Sequence, residues 1–398
     1  MFSQNISSIN GFVRDDRSGE PISYANVFLS NTTLGAATNR DGYFIISNIP
    51  NGEYEINATM IGYGLFKQGI NIIEDKPIRL DIRLIEKVIQ TSEVLVTAER
   101  QKFERSMESS QISLDIREIN SAPAFIEPDV FRTLQMLPGV QTTSDFSSAL
   151  YVRGSTPDQN LIMLDGIAVY NPYHLGGIFS TFNTDAIKEA DFHAGGFPAR
   201  YGGRMGAILN VLNREGNTGE VKGSANISLI SSKGLIEGPL PNWKGMKGSW
   251  MVSGRRTYFD TVIDALKIPI GQRSDGSNIY FQFPYHFYDY QVKVNLDVDQ
   301  DHRLTYSRFY GDDIVDFSFQ ETLEYSGASV DVESKTGFGV KWPWGNHTNG
   351  LTWRWIIAPD LVAKTFLSHS RYRFDFELNS LDRNTYTYTD STIILFSD

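Results

Sequence analysis

At 398 residues, of which 41% are hydrophobic, the chain is long enough for two or three domains with real cores, and disorder is not its default. A formal net charge of -11 argues against a nucleic-acid partner, because phosphate-backbone binding draws on clustered Lys and Arg. The absence of cysteine removes disulfides, thiolate-bound zinc, iron–sulfur clusters, thiol nucleophiles and an acylated N-terminal anchor together.

Residues 1–8 read as a remnant, since Met1 to Asn5 carries neither the charged nor the apolar region of an export signal. A mature or trimmed form is expected, or one whose upstream part is lost. No run of eighteen apolar residues follows, so a membrane would have to be crossed by strands, which satisfy backbone hydrogen bonds in lipid only as closed barrels. All six tryptophans lie between Trp243 and Trp355, which implies that the C-terminal part meets a different solvent from the rest.

Residues 9–86 read as short strands separated by turn chemistry at Ser18-Gly19-Glu20-Pro21, Asp41-Gly42, Pro50-Asn51-Gly52 and Gly62-Tyr63-Gly64, and so as a β-sandwich. Asp41-Gly42 is the dipeptide of a tight hairpin whose two central residues need positive φ. The set Gly11 to Asp15, Pro21 to Val27, Thr38 to Phe44 and Gly52 to Tyr54 resembles the carboxypeptidase regulatory-like domain, a transthyretin-like sandwich. An actual zinc carboxypeptidase would need an H-x-x-E ligand pair, and none of the six histidines begins one.

Residues 87–110 form a linker. Within it Ser92, Glu93, Val94, Leu95, Val96, Thr97 and Ala98 are similar to a TonB box, a peptide that adds a strand to its partner's sheet edge; Val94 and Val96 would share one face, Leu95 and Thr97 the other.

Residues 111–216 read as a small α+β domain. Pro128 to Gly139 opens on Pro-Asp, spaces Val130, Leu134 and Leu137 on one helical face and stops at Pro-Gly. Strands follow at Tyr151 to Arg153, Leu161 to Leu164 and Ile167 to Tyr170, with a turn at Asp165-Gly166. Leu137-Pro-Gly-Val140, Tyr151-Val-Arg-Gly154, Leu164-Asp-Gly166, Asn171-Pro-Tyr-His174 and Arg200-Tyr-Gly-Gly-Arg204, in that order, resemble the plug of TonB-dependent outer-membrane receptors. The resemblance implies that Arg153, Arg200 and Arg204 dock the plug on a barrel wall and that Gly154, Gly166, Gly202 and Gly203 are structural. It also makes Tyr170, Asn171, Tyr173 and His174 candidates for facing the substrate; packing of this loop against the wall is the competing and stronger reading. The region departs from the Tyr-Gly-Ser-Arg form typical of the starch-utilisation subfamily, which disfavours a lipoprotein lid and a glycan cargo. One His without partners at ligand spacing does not make a metal site.

Residues 217–398 read as the first, truncated part of an antiparallel transmembrane barrel. Tyr288, Tyr290, Val292, Val294 and Leu296 alternate with Asp289, Gln291, Lys293, Asn295 and Asp297, one face lipid-like and the other wet. Segments Ile268 to Pro284 and Gly311 to Glu333 are expected as extracellular loops. Asp297 to Asp301 lacks the Gly and Glu of a calcium-binding EF-hand loop and should be a short turn. There is room for roughly seven or eight strands against about 22 in large plugged barrels, so closure is not expected and Asp398 reads as an artificial end.

The resemblance as a whole implies a mainly β chain that takes up a scarce solute, with TonB and its proton-driven inner-membrane motor, outer-membrane lipid and an extracellular small-molecule or oligomeric ligand as partners. The sandwich would lie in the periplasm. No catalytic residue, metal or cofactor is expected: G-x-S-x-G, H-E-x-x-H and the phosphate-binding G-x-x-x-x-G-K-[ST] are all absent. A soluble or surface-exposed β-rich binding or adhesion module is the alternative.

Overall fold

Period-2 patterns broken by turn residues give two facing sheets in the N-terminal part. In chain order the strands are β1 (Ile6–Asp15), β2 (Asn26–Leu29), β3 (Gly35–Ala37), β4 (Tyr43–Pro50), β5 (Gly52–Thr59), β6 (Phe66–Ile72), β7 (Ile78–Arg79) and β8 (Ile82–Leu84). One sheet runs β4-β1-β7, with β8 also parallel to β1, and the other runs β3-β2-β5-β6. Ile9, Val13, Val27, Leu29, Phe44 and Ile56 meet between them, each at most 1% exposed. The Asp41-Gly42 turn differs from its expectation. β3 and β4 belong to different sheets, so it carries the chain across the sandwich, and only Gly42 takes a positive φ, +74°. Asn39 shapes this corner, its side-chain oxygen accepting from the backbone N–H of Asp41 and Tyr43.

The computed structural model describes residues 6–73, 76–87, 111–123, 127–144, 147–242, 245–272, 278–280, 284–326, 330–388 and 392–397. The segment read as a TonB box lies outside them.

The next unit contains β9 (Gln111–Asp115), β10 (Val140–Gln141), β11 (Tyr151–Val152), β12 (Leu161–Leu164), β13 (Ile167–Ala168), β14 (Tyr173–His174), β15 (Phe179–Ser180), β16 (Ile187–His193) and β17 (Ile208–Asn213). Its central sheet runs β13-β12-β17-β16-β9, with β12 parallel to β17 and the other pairs antiparallel. A helix at Val130–Gln135 starts where Pro128-Asp129 announces it, the Asp129 carboxylate accepting from the N–H groups of Phe131 and Arg132. Val130, Phe131 and Leu134 are wholly buried in the core, and Leu137 packs against it. The Asp165-Gly166 hairpin joins β12 to β13 with φ of +52° and +81°, the double positive φ that the dipeptide requires.

The C-terminal part is an antiparallel sheet made of β18 (Lys222–Ile227), β19 (Ser231–Pro239), β20 (Lys247–Thr257), β23 (Tyr285–Asp297), β24 (His302–Ser326), β25 (Val330–Ala358), β26 (Leu361–Phe374), β27 (Glu377–Tyr388) and β28 (Thr392–Ser397). A helix at Phe259–Leu266 and a small hairpin of β21 (Pro269–Gln272) and β22 (Asn278–Tyr280) lie between β20 and β23. β26 and β27 pair with successive stretches of β25 and are one strand interrupted at Asp375 and Phe376, so the sheet has eight strands among the described residues. One expectation is corrected here. Gly311 to Glu333 is no loop: β24 and β25 continue their ladder through it to the pair Ser326↔Asp331. Ile268 to Pro284 contains the β21–β22 hairpin.

The alternation of β23 is inside out relative to a soluble sheet. Asp289, Gln291 and Asn295 are each 1% exposed, whereas Tyr290 on the opposite face is 54% exposed. The wet face is covered by the plug and the apolar face is bare, the arrangement lipid selects and water does not. On β25, Trp353 and Trp355 likewise point outward and stack at 5.9 Å, with His302 packed beside them. Among the described residues no helix is long and apolar enough to cross a membrane.

Candidate functional site: the seam between plug and sheet

The loop after β13 was expected to offer Tyr170, Asn171, Tyr173 and His174 together, and the structure divides them. Tyr170 and Asn171 are exposed, Asn171 donating to Tyr372 Oη at 3.3 Å. Tyr173 turns inward onto Phe131, with ring centroids 5.0 Å apart. His174 is 1% exposed, so it cannot meet a ligand as placed; it enters the wall instead. Its Nδ1 donates to Asp313 at 2.7 Å and its Nε2 to Asp289 at 2.9 Å, while the ring stacks on Phe287 with centroids 3.9 Å apart.

Two carboxylates on one imidazole require both ring nitrogens to carry protons. Burial disfavours that charge, but Asp289 and Asp313 overcome it and lift the pKa of His174 to about 9. The network then extends in both directions. Asp289 accepts from Arg255 Nε and Nη2 at 2.9 and 2.6 Å, and Arg255 reaches Glu127 at 2.6 Å and the carbonyl of Ser180 at 2.8 Å. Tyr285 donates to Asp313, and both Tyr285 Oη and Asp313 accept from the N–H of Leu175. Leu175 holds a φ of +49° there, a strained value for a branched side chain, fixed by these two acceptors.

Nearer the sandwich a second row of charges joins plug to wall. Lys293 Nζ meets Asp165 at 2.9 Å and the carbonyl of Asn213 at 2.9 Å, and Arg303 pairs with Glu215. Burial alone would raise the pKa of Glu215; Arg303, Lys188, Lys293 and Arg14 outweigh it and bring it down to about 2. Lys233–Asp185 at 3.0 Å and Arg214–Glu237 at 2.9 Å complete the seam.

Arg153, Arg200 and Arg204 do not supply these contacts. Arg153 is exposed, Arg200 lies over the Tyr201 ring at 4.9 Å, and Arg204 donates to the carbonyl of Gly203. Of the glycines, Gly154, Gly166 and Gly203 take positive φ, whereas Gly202 does not and has open space where a Cβ would stand. The docking residues that the sequence reading missed, Asp289, Lys293, Arg303 and Asp313, sit at inward positions of β23 and β24. The signal was present: a full charge on the wet face of a strand asks for a partner across the seam.

The sandwich is part of the same assembly. Arg40 reaches Asp191 of β16 at 2.6 Å, Lys188 donates to the carbonyl of Pro21 at 2.8 Å, and Glu20 accepts from the N–H of Glu215 at 2.8 Å. Against the wall, Phe12 and Tyr43 form a small apolar cluster with Ile356, Tyr43 Oη donates to the carbonyl of Pro359 at 2.7 Å, and Arg79 meets Asp301 at 2.7 Å.

A sandwich, a small α+β unit and a long sheet with its apolar face outward thus follow one another along the chain. Residues 112–208 match the TonB-dependent receptor plug domain and residues 9–96 match the CarboxypepD_reg-like domain, the latter running past β8 into the TonB-box-like segment. The chain thus carries a CarboxypepD_reg-like domain followed by a plug domain of the TonB-dependent receptor kind. Among solved structures, the siderophore receptor PirA from Pseudomonas aeruginosa is 13% identical, with 72% of this chain and 60% of that one covered at a TM-score of 0.35. The outer-membrane transporter YddB from Escherichia coli is 10% identical over 72% of this chain and 55% of its own, at 0.37. A cohesin–X-dockerin complex from Acetivibrio cellulolyticus matches 20% of this chain and 58% of its own, at 20% identity and a TM-score of 0.18. The chain thus spans less than two thirds of each of these structures.

Proposed function

We propose that the chain serves TonB-dependent active transport of a scarce solute across the outer membrane, its plug gating the passage inside a β-barrel. The observation that carries this reading is the plug domain seated by buried ion pairs on the polar face of a sheet whose other face is apolar. A soluble binding module would bury the apolar face instead. In this reading the sandwich lies in the periplasm, because it packs on the β23–β24 turn and on Pro359, at the end of the sheet from which the chain leaves the plug. Residues Ser92 to Ala98 are the TonB box, and Tyr170 and Asn171 are the exposed loop residues that would face a ligand.

The test is coupling. The full chain in detergent is titrated with the purified periplasmic domain of TonB, and Val94→Pro is compared with it. Proline removes a backbone donor from an added strand, so binding should weaken by about tenfold or more. Equal binding by both forms, or none at about millimolar concentration, overturns the box and the coupled reading with it.

A further inference from the structure

Beneath the plug, on its sandwich side, the three units line a half-open chamber of about 400 Å³. Its charge is unbalanced. Arg40, Lys188, Lys293, Arg303, Arg354 and Lys364 line it, against only Asp41, Asp165 and Glu215. Most of these cations are accounted for: Arg40 by Asp191, Lys293 by Asp165, Arg303 by Glu215 and Lys364 by Asp41. Two are not. Among the described residues no carboxylate lies within 4 Å of Lys188 or Arg354; Lys188 is held by a carbonyl, and Arg354 by the face of Phe12 at 4.5 Å.

Arg354 is the more telling of the two. It is 6% exposed, on the inward face of β25, and its Nε is buried with no hydrogen-bond acceptor. Buried guanidinium groups are ordinarily paired with an acid, because desolvating the charge is costly. Around Arg354 the charges are mixed: Arg303 and Arg14 oppose its charge and Asp41 and Asp297 favour it, but neither of these acids comes within ion-pairing distance. Such a cluster is stabilised by an anion that arrives from outside the chain.

We propose that the chamber is an anion site, taking a small multivalent carboxylate or phosphate between Arg354 of the wall and Lys188 of the plug. The shared chemistry is two or more anionic oxygens, matched to a planar guanidinium and a lysine point charge. The anion comes either from the periplasm as a free ion or, on the transport reading above, as part of the passing solute. In the second case the chamber selects anionic cargo on its way out.

The experiment is isothermal titration calorimetry on the full chain in lipid nanodiscs, with citrate and inorganic phosphate as probes. Saturable binding is expected, weakened by about tenfold or more in Arg354→Gln and in Lys188→Gln, and unchanged in Lys247→Gln, an exposed cation outside the chamber. Lys188→Gln keeps the test decisive if Arg354→Gln does not fold. Citrate binding about tenfold tighter than phosphate assigns the site to an organic solute, and phosphate binding at least as tight assigns it to a free ion; both support the site. No saturation with either probe, or equal affinity in all variants, overturns it. Failure of the TonB titration leaves this result standing, so the two readings fall separately.

Discussion

His174 shows how a residue can look like a ligand contact and act as a fastener. A histidine in a loop with Tyr and Asn neighbours suggests an exposed recognition surface; its actual partners, Asp289 and Asp313, lie more than a hundred positions away. Nothing local announces such a pairing. Its energetic role has a definite sign with pH. A pKa of about 9 in the folded state lies above the ordinary histidine value of 6.5, so the stabilisation is fully present below about pH 6.5 and lost as pH rises through about 9. The groups facing the ring are Asp289, Asp313, Arg255 and Tyr285, so the titration is read against a fixed set of charges. The melting temperature of the full chain in detergent should therefore fall over that interval, and the fall should vanish in His174→Gln. At pH 6, His174→Ala should cost about 3–5 kcal/mol, the range for orphaning a buried ionic partner, as measured by denaturant unfolding. A loss under about 1 kcal/mol would show that the imidazolium is not holding the plug.

At the scale of elements, legibility followed the range over which each pattern acts. The helix at Val130–Gln135 and the Asp165-Gly166 hairpin were readable because caps and turns are settled by neighbours in sequence. The Asp41-Gly42 corner was misread because the same dipeptide serves a crossing between sheets, which depends on where β1 and β2 pair. Gly311 to Glu333 reads as an extracellular loop offering aromatic and acidic residues to a ligand, yet pairing with β25 keeps it extended as far as Ser326. The alternation in β23 was plain, but its wet face turned out to face a protein surface, and that distinction exists only once the plug is in place. It also yields a test. Val292→Lys and Val294→Lys change outward side chains and should weaken insertion of the sheet into lipid vesicles by about 2–4 kcal/mol if they lie near the midplane. Insertion followed by tryptophan fluorescence that is indifferent to both changes would argue that this face does not meet hydrocarbon.

For the molecule as a whole, the sandwich is the element whose placement could not be anticipated. Its strands and core were visible in its turns, but its docking depends on single residues, such as Arg40 on Asp191 and Tyr43 on Pro359, that no periodicity marks. Docked there, it lies over the plug on the side from which, on the transport proposal, a solute would leave. Joining Asp41→Cys to Lys364→Cys with a short bismaleimide, where an ion pair of 3.5 Å now spans the gap, should cross-link in resting cells and stop uptake if the sandwich must swing aside. Undiminished uptake in the cross-linked receptor would mean that the solute passes beside a stationary sandwich.

The position of β9 carries a mechanical consequence. Among the described residues it is the edge strand of the plug sheet and pairs only with β16, and its first residue, Gln111, is the one nearest the linker and lies opposite His193. Tension applied within residues 87–110 reaches the ladder at that end and runs along a strand with one free flank, so the bonds open in sequence, as a zipper does, and need not break together. The other end of the linker leads to β8, which lies parallel to β1 inside the sandwich. A single tug is therefore shared by two anchors of unequal construction, and the thinner one belongs to the plug.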